Sequence, residues 1–236
     1  MNKSEFEVWL GKYKNESTTY APDIEDLYSL YTHVRKYKIT SILEIGSGWS
    51  TLVLSQALLE NKSDFESEYL KNNPLRDSFM MVTLDASAFY LETSLSRLDE
   101  SQKSIVKSYV SNPKMDNVGG RACHTFENFP NFSADLIYLD GPDCDQVIGE
   151  TNGCSVNPNY SDGGTRLPMS ADLIKTEFFI EPGSWIIVDG RGANAEFLRL
   201  SFARSWKYEY KKTLDQHFFH LDSEPWGSRS ESHKNR

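Results

Sequence analysis

The sequence predicts an α/β fold in which a doubly wound, mostly parallel sheet of seven strands ends in a C-terminal antiparallel hairpin. Short apolar runs, typical of strands buried on both faces, alternate with segments of helical periodicity. Four of these runs end in a carboxylate followed by a turn, and the last two strand-like segments are joined by a short polar turn. A chain of 236 residues fits one domain, or one domain with a small lobe.

Two helices are expected before the first strand. The apolar residues between positions 6 and 13 recur at the three- and four-residue spacing of a helix face, and a second such pattern covers 23–37. We therefore divide the chain into an N-terminal helical segment (1–38), a main domain (39–222) and a polar tail (223–236) that we expect to be loose.

The main domain is predicted to alternate strands with helices. Strands are expected at 39–45, 80–84, 121–126, 135–139, 185–188, 206–211 and 217–221. Helices are expected at 52–59, 91–109, 170–180 and 193–202. Two polar stretches have no clear period. We interpret 61–78 as an insertion or connection, and 141–168, which is rich in Gly, Asn, Asp and Pro, as a nearly structureless loop that covers the substrate.

The composition excludes several classes of function. The net charge is −9 and basic residues are interspersed with acidic ones, so the chain lacks the basic face of a nucleic-acid binder. No window approaches the roughly 20 apolar residues of a membrane span, and the first residues lack the apolar core of a signal peptide. We expect a cytoplasmic protein that acts on a small molecule and whose three cysteines are free thiols.

Four of the apolar runs have a carboxylate at their C-terminal end. These carboxylates are Glu44, Asp85, Asp140 and Asp189. Because the carboxyl ends of parallel strands lie along one edge of a sheet, where open α/β sheets bind ligands, these acids predict a polar site at that edge. A single acid after a strand often just caps the next helix, but four among about five parallel strands favour a site.

The loop after the first strand carries the sharpest signal. Gly46 and Gly48 let the backbone turn tightly and approach a ligand, and the next helix offers free N–H groups at its start. A dinucleotide fingerprint would have a glycine in place of Thr51, and its acid would follow the loop, whereas Glu44 precedes it. Both departures disfavour the alternative of an NAD(P)-dependent oxidoreductase.

The same residues resemble the first motif of class I S-adenosylmethionine-dependent methyltransferases, which have a Rossmann-like fold. In that motif, E/D-x-G-x-G-x-G, Glu44, Gly46 and Gly48 match. Ser50 stands where the third glycine would be, a departure that looks like one seen in small-molecule and sugar methyltransferases. The segments DLIYLDGPD and PGSWIIVDGR resemble the fourth and fifth strands of the family.

The resemblance implies S-adenosylmethionine as cofactor. The loop would contact its methionine portion and Asp85 its ribose hydroxyls, and His124, unless it is a structural histidine, would lie near the adenine. The implied cofactor-binding residues are Glu44, Gly46, Ser47, Gly48, Ser50, Thr51, Asp85, Ala86, His124 and Asp140. Trp49, Tyr90 and Tyr160 are expected either to stack on the adenine or a sugar or to pack in the core.

Methyl transfer to a hydroxyl requires a nucleophile in line with the methyl group and a group that accepts a proton. Asp140 and Asp143 are the catalytic candidates, and Asp189 and Arg191 the substrate-binding ones, although Arg191 alternatively pairs with Asp140. Methyltransferases of the catechol type hold a divalent cation between acids that match Asp140 and Asp189 and an adjacent Asn. Gly190 occupies the Asn position, so a metal is possible but not favoured.

The sequence thus predicts S-adenosylmethionine-dependent methyl transfer to a small polar acceptor, at a hydroxyl of a sugar or related metabolite. Two alternatives stay open: the NAD(P)-dependent oxidoreductase, and a binding protein that has kept the nucleotide-binding fold without catalysis. His217 and His220 are three positions apart on a predicted strand and should therefore lie on opposite faces of the sheet.

Overall fold

A seven-stranded sheet forms the centre of the computed structural model, which describes residues 1–13, 21–65, 79–156, 168–224 and 227. The strands of the chain are β1 (Ser41–Ile45), β2 (Met80–Asp85), β3 (Val106–Val110), β4 (Pro113–Val118), β5 (Arg121–Phe126), β6 (Leu136–Leu139), β7 (Glu150–Thr151), β8 (Cys154–Ser155), β9 (Trp185–Asp189), β10 (Trp206–Lys211) and β11 (Gln216–Leu221). The helices are α1 (Lys3–Gly11), α2 (Ile24–Lys36), α3 (Trp49–Phe65), α4 (Ala88–Ser96), α5 (Glu100–Lys103), α6 (Asp172–Thr176) and α7 (Gly192–Ser201).

The strand order of the central sheet is β10-β11-β9-β6-β1-β2-β3. The five strands from β9 to β3 run parallel, and β11 is antiparallel to both β9 and β10. The predicted architecture, a mostly parallel seven-stranded sheet closed by a C-terminal hairpin, is confirmed. From β1 the chain proceeds to β2 and β3 on one side and then crosses to β6 on the other, so the switch point of the topology lies between β1 and β6.

Apolar clusters cover both faces of the sheet. Ile42 of β1 lies in a cluster with α1, α2 and α3, whereas its neighbour Leu43 lies in a second cluster with α6 and α7. Every residue of β1 is buried for this reason, and the strand shows no alternation of polarity. The two predicted N-terminal helices are confirmed as α1 and α2, which bury Phe6 and Tyr31 in the first cluster.

The predicted helix over 91–109 is wrong in its second half. Helix α4 ends at Ser96, and β3 is the third parallel strand, paired with β2 at the edge of the sheet. Leu98 and Ile105 are both buried, and this is why they fit the spacing of a helix face. The helix is nevertheless interrupted between them, because Asp99 caps the separate short helix α5 with a capping box. The apolar spacing alone could not separate one long helix from a helix, a turn and a strand.

The strand predicted at 121–126 exists as β5, but it lies outside the central sheet. Strands β4 and β5 form their own antiparallel pair, joined by Gly119 and Gly120, which both have positive φ angles. We call this insertion between β3 and β6 the β4–β5 hairpin. It is anchored to the segment that precedes α6, since the N–H of His124 donates to Met169 O at 2.9 Å and the N–H of Ala171 donates to His124 O at 2.9 Å.

Residues 141–156 contain more structure than predicted. The described part of this loop has a 3-10 turn at Cys144–Gln146 and the small hairpin β7–β8, and Ile148 exchanges hydrogen bonds with the β4–β5 hairpin at Pro113 and Met115. Residues 66–78 and 157–167 and most of the tail lie outside the described residues, as does Tyr160. Within the described ranges no helix is both long enough and apolar enough to span a membrane.

The loops that follow β1 and β6 touch each other at two glycines. A Cβ atom on Gly46, whose φ is +93°, would lie 2.6 Å from the backbone nitrogen of Gly141. A Cβ on Gly48 would meet nothing closer than the Ser50 hydroxyl at 3.8 Å. The approach of the two loops therefore already requires a glycine at position 46, and the contact of Gly46 with a cofactor stays a prediction.

We expect Gly46→Ala to destabilise the fold by about 3 kcal/mol, because it combines an unfavourable positive φ with a backbone clash that no rotamer relieves. Urea unfolding measures this difference. Gly48→Ala is the matched control and should stay within about 0.5 kcal/mol of the wild type. Equal effects of the two changes would contradict the loop-contact argument.

Candidate functional site

Two adjoining cavities open at the carboxyl ends of the parallel strands. The first cavity, of about 300 Å³, lies at the switch point and is lined chiefly by Gly46, Ser47, Asp85, Tyr90, Asp140 and Arg191. The second cavity, of about 250 Å³, is lined chiefly by His124, Asp140, Cys144, Met169, Asp189 and Asn194. Asp140, Asp143 and Arg191 line both. The predicted polar edge therefore consists of two cavities, and we call the three lining residues that they share the common wall.

Glu44 does not reach either cavity. Its carboxylate is fully buried and accepts hydrogen bonds from the hydroxyls of Ser50 at 2.7 Å, Thr51 at 2.8 Å and Thr83 at 2.6 Å. Burial raises the pKa of Glu44 to about 7 against these three hydrogen bonds, which favour the ionised form. The expectation of ligand contacts by the side chains of Glu44, Ser50 and Thr51 is corrected, because they brace the loop from beneath.

Asp85 lies in the first cavity and holds the loop after β1. Its Oδ2 accepts hydrogen bonds from the Ser47 N–H at 2.7 Å and the Ser47 hydroxyl at 2.6 Å, and its Oδ1 accepts one from the Ser87 N–H at 2.7 Å. Both lone pairs of Oδ2 are therefore used, and Oδ1 keeps one for a further donor. Ala86, the next residue, packs against the apolar cluster on the α6 and α7 face instead of lining the cavity.

Arg191 forms the common wall with Asp140 and Asp143. Its guanidinium donates to the carbonyl oxygens of Pro142 at 2.8 Å and Asp140 at 2.7 Å and to Asp143 Oδ1 at 3.1 Å. Its Nε also lies 3.5 Å from Asp140 Oδ1, which bears out the predicted pairing of Arg191 with Asp140. Arg191 thus clamps the loop after β6 to the start of α7.

Asp140 faces both cavities with a perturbed acidity. Enclosure by the protein raises the pKa of its carboxyl to about 7, the neighbouring carboxylates of Asp189 and Asp143 act in the same direction, and Arg191 opposes them. Nearly half of the Asp140 side chain is exposed to solvent, so this residue lines the cavities and is not part of the buried core. Such a group exchanges a proton near neutral pH.

His124 lines the second cavity, and its predicted contact with the adenine stays a prediction. Residues 121–126, expected as the third strand of the central sheet, belong instead to the β4–β5 hairpin, which brings His124 to this cavity. His124 is only 3% exposed, and among the described residues its Nδ1 has no hydrogen-bond partner. Burial, with a smaller contribution from Arg191, lowers the pKa of His124 to about 4.

The second cavity is also lined by the predicted Asp189 and by Asn194, which the sequence analysis did not single out. The Asn194 side chain accepts from the Ser170 N–H at 2.7 Å and donates to the Ser170 carbonyl at 3.3 Å, which ties α7 to the segment before α6. Asp189 accepts a hydrogen bond from the buried Tyr138 hydroxyl at 2.5 Å, and burial raises its pKa. No sequence signal marked Asn194, because its partner is a backbone group 24 positions away.

Other candidates lie away from the cavities or have packing roles. Trp49 is buried beneath Arg97, whose guanidinium is 4.4 Å from the ring centroid, whereas Tyr90 does line the first cavity. His217 stacks on Tyr210, and His220 stacks on Trp185 on the opposite face of the sheet, as predicted. Within the described part of the chain no three His, Cys, Asp or Glu side chains are grouped so as to hold a metal ion.

Comparison with known proteins identifies the fold. No protein-family model and no curated protein matches the sequence. Solved structures do match, and they show that the chain has the fold of methyltransferases. One is a methyltransferase from Geobacter sulfurreducens, with a TM-score of 0.52 and 13% identity over 93% of this chain and 90% of that one. Another is a candidate caffeoyl-CoA O-methyltransferase from Staphylococcus aureus, with a TM-score of 0.51 and 10% identity over 94% and 93%.

The raised pKa of Glu44 predicts a pH-dependent stability. Since the carboxyl has a pKa near 4.5 when unfolded and about 7 when folded, the folded state holds the extra proton between these values, and stability falls as the pH rises through them. We expect the wild type to lose about 3 kcal/mol relative to Glu44→Gln from about pH 4.5 to 7.5. Urea unfolding of both proteins measures this.

Glutamine is a suitable comparison because its amide oxygen can accept from Thr51 and Thr83 while its amide nitrogen donates to Ser50. Taking the difference between the two proteins cancels the titration of Asp140, Asp172 and the other acids with raised pKa values. A difference that does not change with pH would show that folding leaves the pKa of Glu44 where it is in the unfolded chain.

Proposed function

We propose that the chain binds S-adenosylmethionine in the first cavity and transfers its methyl group to a small polar acceptor in the second. The observation that carries this proposal is the arrangement of the two cavities, which adjoin at the switch point of a methyltransferase fold and share Asp140, Asp143 and Arg191. Because the two cavities share these lining residues, a donor bound in one and an acceptor bound in the other lie next to each other.

The residues of the first cavity fit the chemistry of this cofactor. Asp85 offers its remaining acceptor position, on Oδ1, to a ribose hydroxyl, and the open space beside Gly48 leaves room for the methionine portion. The ring of Tyr90 supplies an aromatic surface for the adenine. Asp140 and Asp143 place negative charge beside a sulfonium and an ammonium group.

When bound, S-adenosylmethionine supplies an already activated methyl group, so the protein has to orient the acceptor and accommodate its proton. Arg191 fixes the loop that carries Asp140 and Asp143, and hence the distance between the two cavities. The raised pKa of Asp140 keeps a proton-exchanging group in the common wall at neutral pH. Asp143, about half exposed at the mouth of the cavities, is the second candidate for this role.

The acceptor that suits the second cavity is a small hydroxyl compound such as a sugar or a related metabolite. Three carboxylates, Asp140, Asp143 and Asp189, face this cavity against the single cation of Arg191, which is already paired. This balance opposes a phosphorylated or otherwise anionic acceptor and accepts an uncharged one. A sugar without a phosphate is therefore a better fit than a sugar nucleotide.

We expect Asp85→Asn to weaken the binding of S-adenosylhomocysteine by about tenfold to a hundredfold, because a charged hydrogen bond to the ribose is lost. Isothermal titration calorimetry measures the affinity. Glu92→Gln, which removes one negative charge from an exposed position on α4, is the matched control and should bind like the wild type.

The same titrations separate the rival functions. NADH is included as a ligand, and tight binding of NADH with none of S-adenosylhomocysteine would replace the proposal with an oxidoreductase. Binding of S-adenosylmethionine that never leads to transfer, across neutral hydroxylated acceptors followed by isotope-labelled methyl groups, would favour a binding protein instead. Urea unfolding of Asp85→Asn shows whether lost binding reflects lost folding, since Asp85 also holds Ser47.

A further inference from the structure

We propose that His124, presented by the β4–β5 hairpin, binds the reacting hydroxyl of an uncharged acceptor and takes its proton. This inference rests on the proposed methyl transfer and adds the group that activates the acceptor. It is carried by three observations: an unpaired nitrogen on a buried side chain, a backbone that fixes this side chain at the second cavity, and the charges that surround it.

The imidazole of His124 lacks the partner that a buried polar group normally has. The side chain is only 3% exposed, and among the described residues Nδ1 has no hydrogen-bond partner. Roughly nine in ten buried polar groups in native proteins are paired, and the unpaired Nδ1 of His124 belongs to a side chain that lines the second cavity. The hydroxyl of an acceptor, as donor or acceptor of a hydrogen bond, satisfies an imidazole nitrogen.

The backbone on both sides of His124 is fixed. Its N–H donates to Met169 O and its carbonyl accepts from the N–H of Ala171, each at 2.9 Å. The segment between these two residues is held to α7 by the paired hydrogen bonds of Ser170 and Asn194. The hairpin, the segment before α6 and α7 are therefore one connected wall, which holds the imidazole in place without the help of a ligand.

The surroundings keep His124 in the form that accepts a proton. The charged or titratable side chains that line the second cavity with it are Asp140, Asp143, Cys144, Asp189 and Arg191. Burial and the nearby Arg191 lower its pKa to about 4, so the ring is neutral above that pH and has a lone pair available. Asp140, which lines the same cavity and has its pKa raised to about 7, is a group to which the proton can move next.

The chemistry is balanced without a further reactant. The carbon–sulfur bond of the sulfonium breaks as the carbon–oxygen bond to the acceptor forms, and the sulfur keeps the bonding pair. The proton of the hydroxyl passes to the imidazole of His124, which becomes a cation beside the carboxylates of the cavity. The carboxylates that line the cavity repel an acceptor that brings its own negative charge.

Nuclear magnetic resonance tests the inference without relying on turnover. Protein labelled with ¹⁵N in its five histidines and loaded with S-adenosylhomocysteine is titrated with methyl β-D-glucopyranoside and, separately, with catechol. We expect at least one of these neutral probes to shift the ring nitrogens of His124, and benzoate, an anion of similar size to catechol, to leave them unmoved. The His124→Gln spectrum assigns the signal.

His33 is the matched internal control. It is also buried, its Nε2 also lacks a partner among the described residues, and it lines a separate cavity of about 270 Å³ with Trp185, apart from the two cavities described above. Its signals should not follow those of His124. A His124 signal that neither neutral probe shifts, or that shifts only together with His33 or with benzoate, overturns the inference.

The variant His124→Gln adds a kinetic readout on the probe that binds. Glutamine keeps a hydrogen-bonding side chain but takes no proton, so methyl transfer should fall about a hundredfold while the affinity for S-adenosylhomocysteine stays within about twofold. Unchanged transfer overturns the inference and leaves the proposed function standing. Failure of the wild type to bind S-adenosylhomocysteine overturns both, and the calorimetry on Asp85 shows which case applies.

Discussion

The buried carboxylate of Glu44 is the interaction on which the rest of the site depends. It joins β1 to β2 through Thr83 and to the first turn of α3 through Ser50 and Thr51. A buried carboxylate is costly unless its oxygens are paired, so the three hydroxyls and the acid fix one another's positions. The Thr51 hydroxyl also accepts a hydrogen bond from the Gly48 N–H at 3.1 Å, which extends the constraint to the loop. The wall of the first cavity is thus set by a residue that does not touch it.

The sequence predicted the parallel strands and the acids that follow them, because apolar runs, turns and carboxylates are local features. It did not predict which of those acids face a cavity and which ones hold the loops from the interior. The acid–glycine motif looks the same whether Glu44 faces a ligand or the interior, and whether Gly46 faces a ligand or Gly141. The contact of Glu44 with Thr83 spans 39 positions of the chain, and that of Gly46 with Gly141 spans 95 positions, so no local pattern encodes either of them. The third parallel strand was predicted as a helix for a related reason. A buried residue such as Ile105 is compatible with a helix and with a strand, and only its contacts in the fold distinguish them.

Charge is distributed unevenly across the common wall, and this governs what the two cavities accept. The guanidinium of Arg191 is engaged by two backbone carbonyls and by Asp143, so it holds the wall together and leaves little positive charge for a ligand. Asp140 and Asp189 are then left in mutual repulsion, which contributes to the raised pKa of Asp140. A cationic methyl donor relieves this repulsion and an anionic acceptor increases it. Under the proposed function, the same electrostatic imbalance favours the donor and selects against one class of acceptor.

The two cavities are built from different parts of the fold, which separates their roles. The first is formed largely by residues at the ends of β1, β2 and β6, and its shape follows from the central sheet. The second owes His124 to the β4–β5 hairpin, which forms no part of that sheet and is held by the segment before α6. Changes in the hairpin therefore reshape the second cavity while β1, Glu44 and the loop at Gly46 keep the first one intact. Under the proposed function, recognition of the acceptor is decided by the insertion and binding of the donor by the sheet.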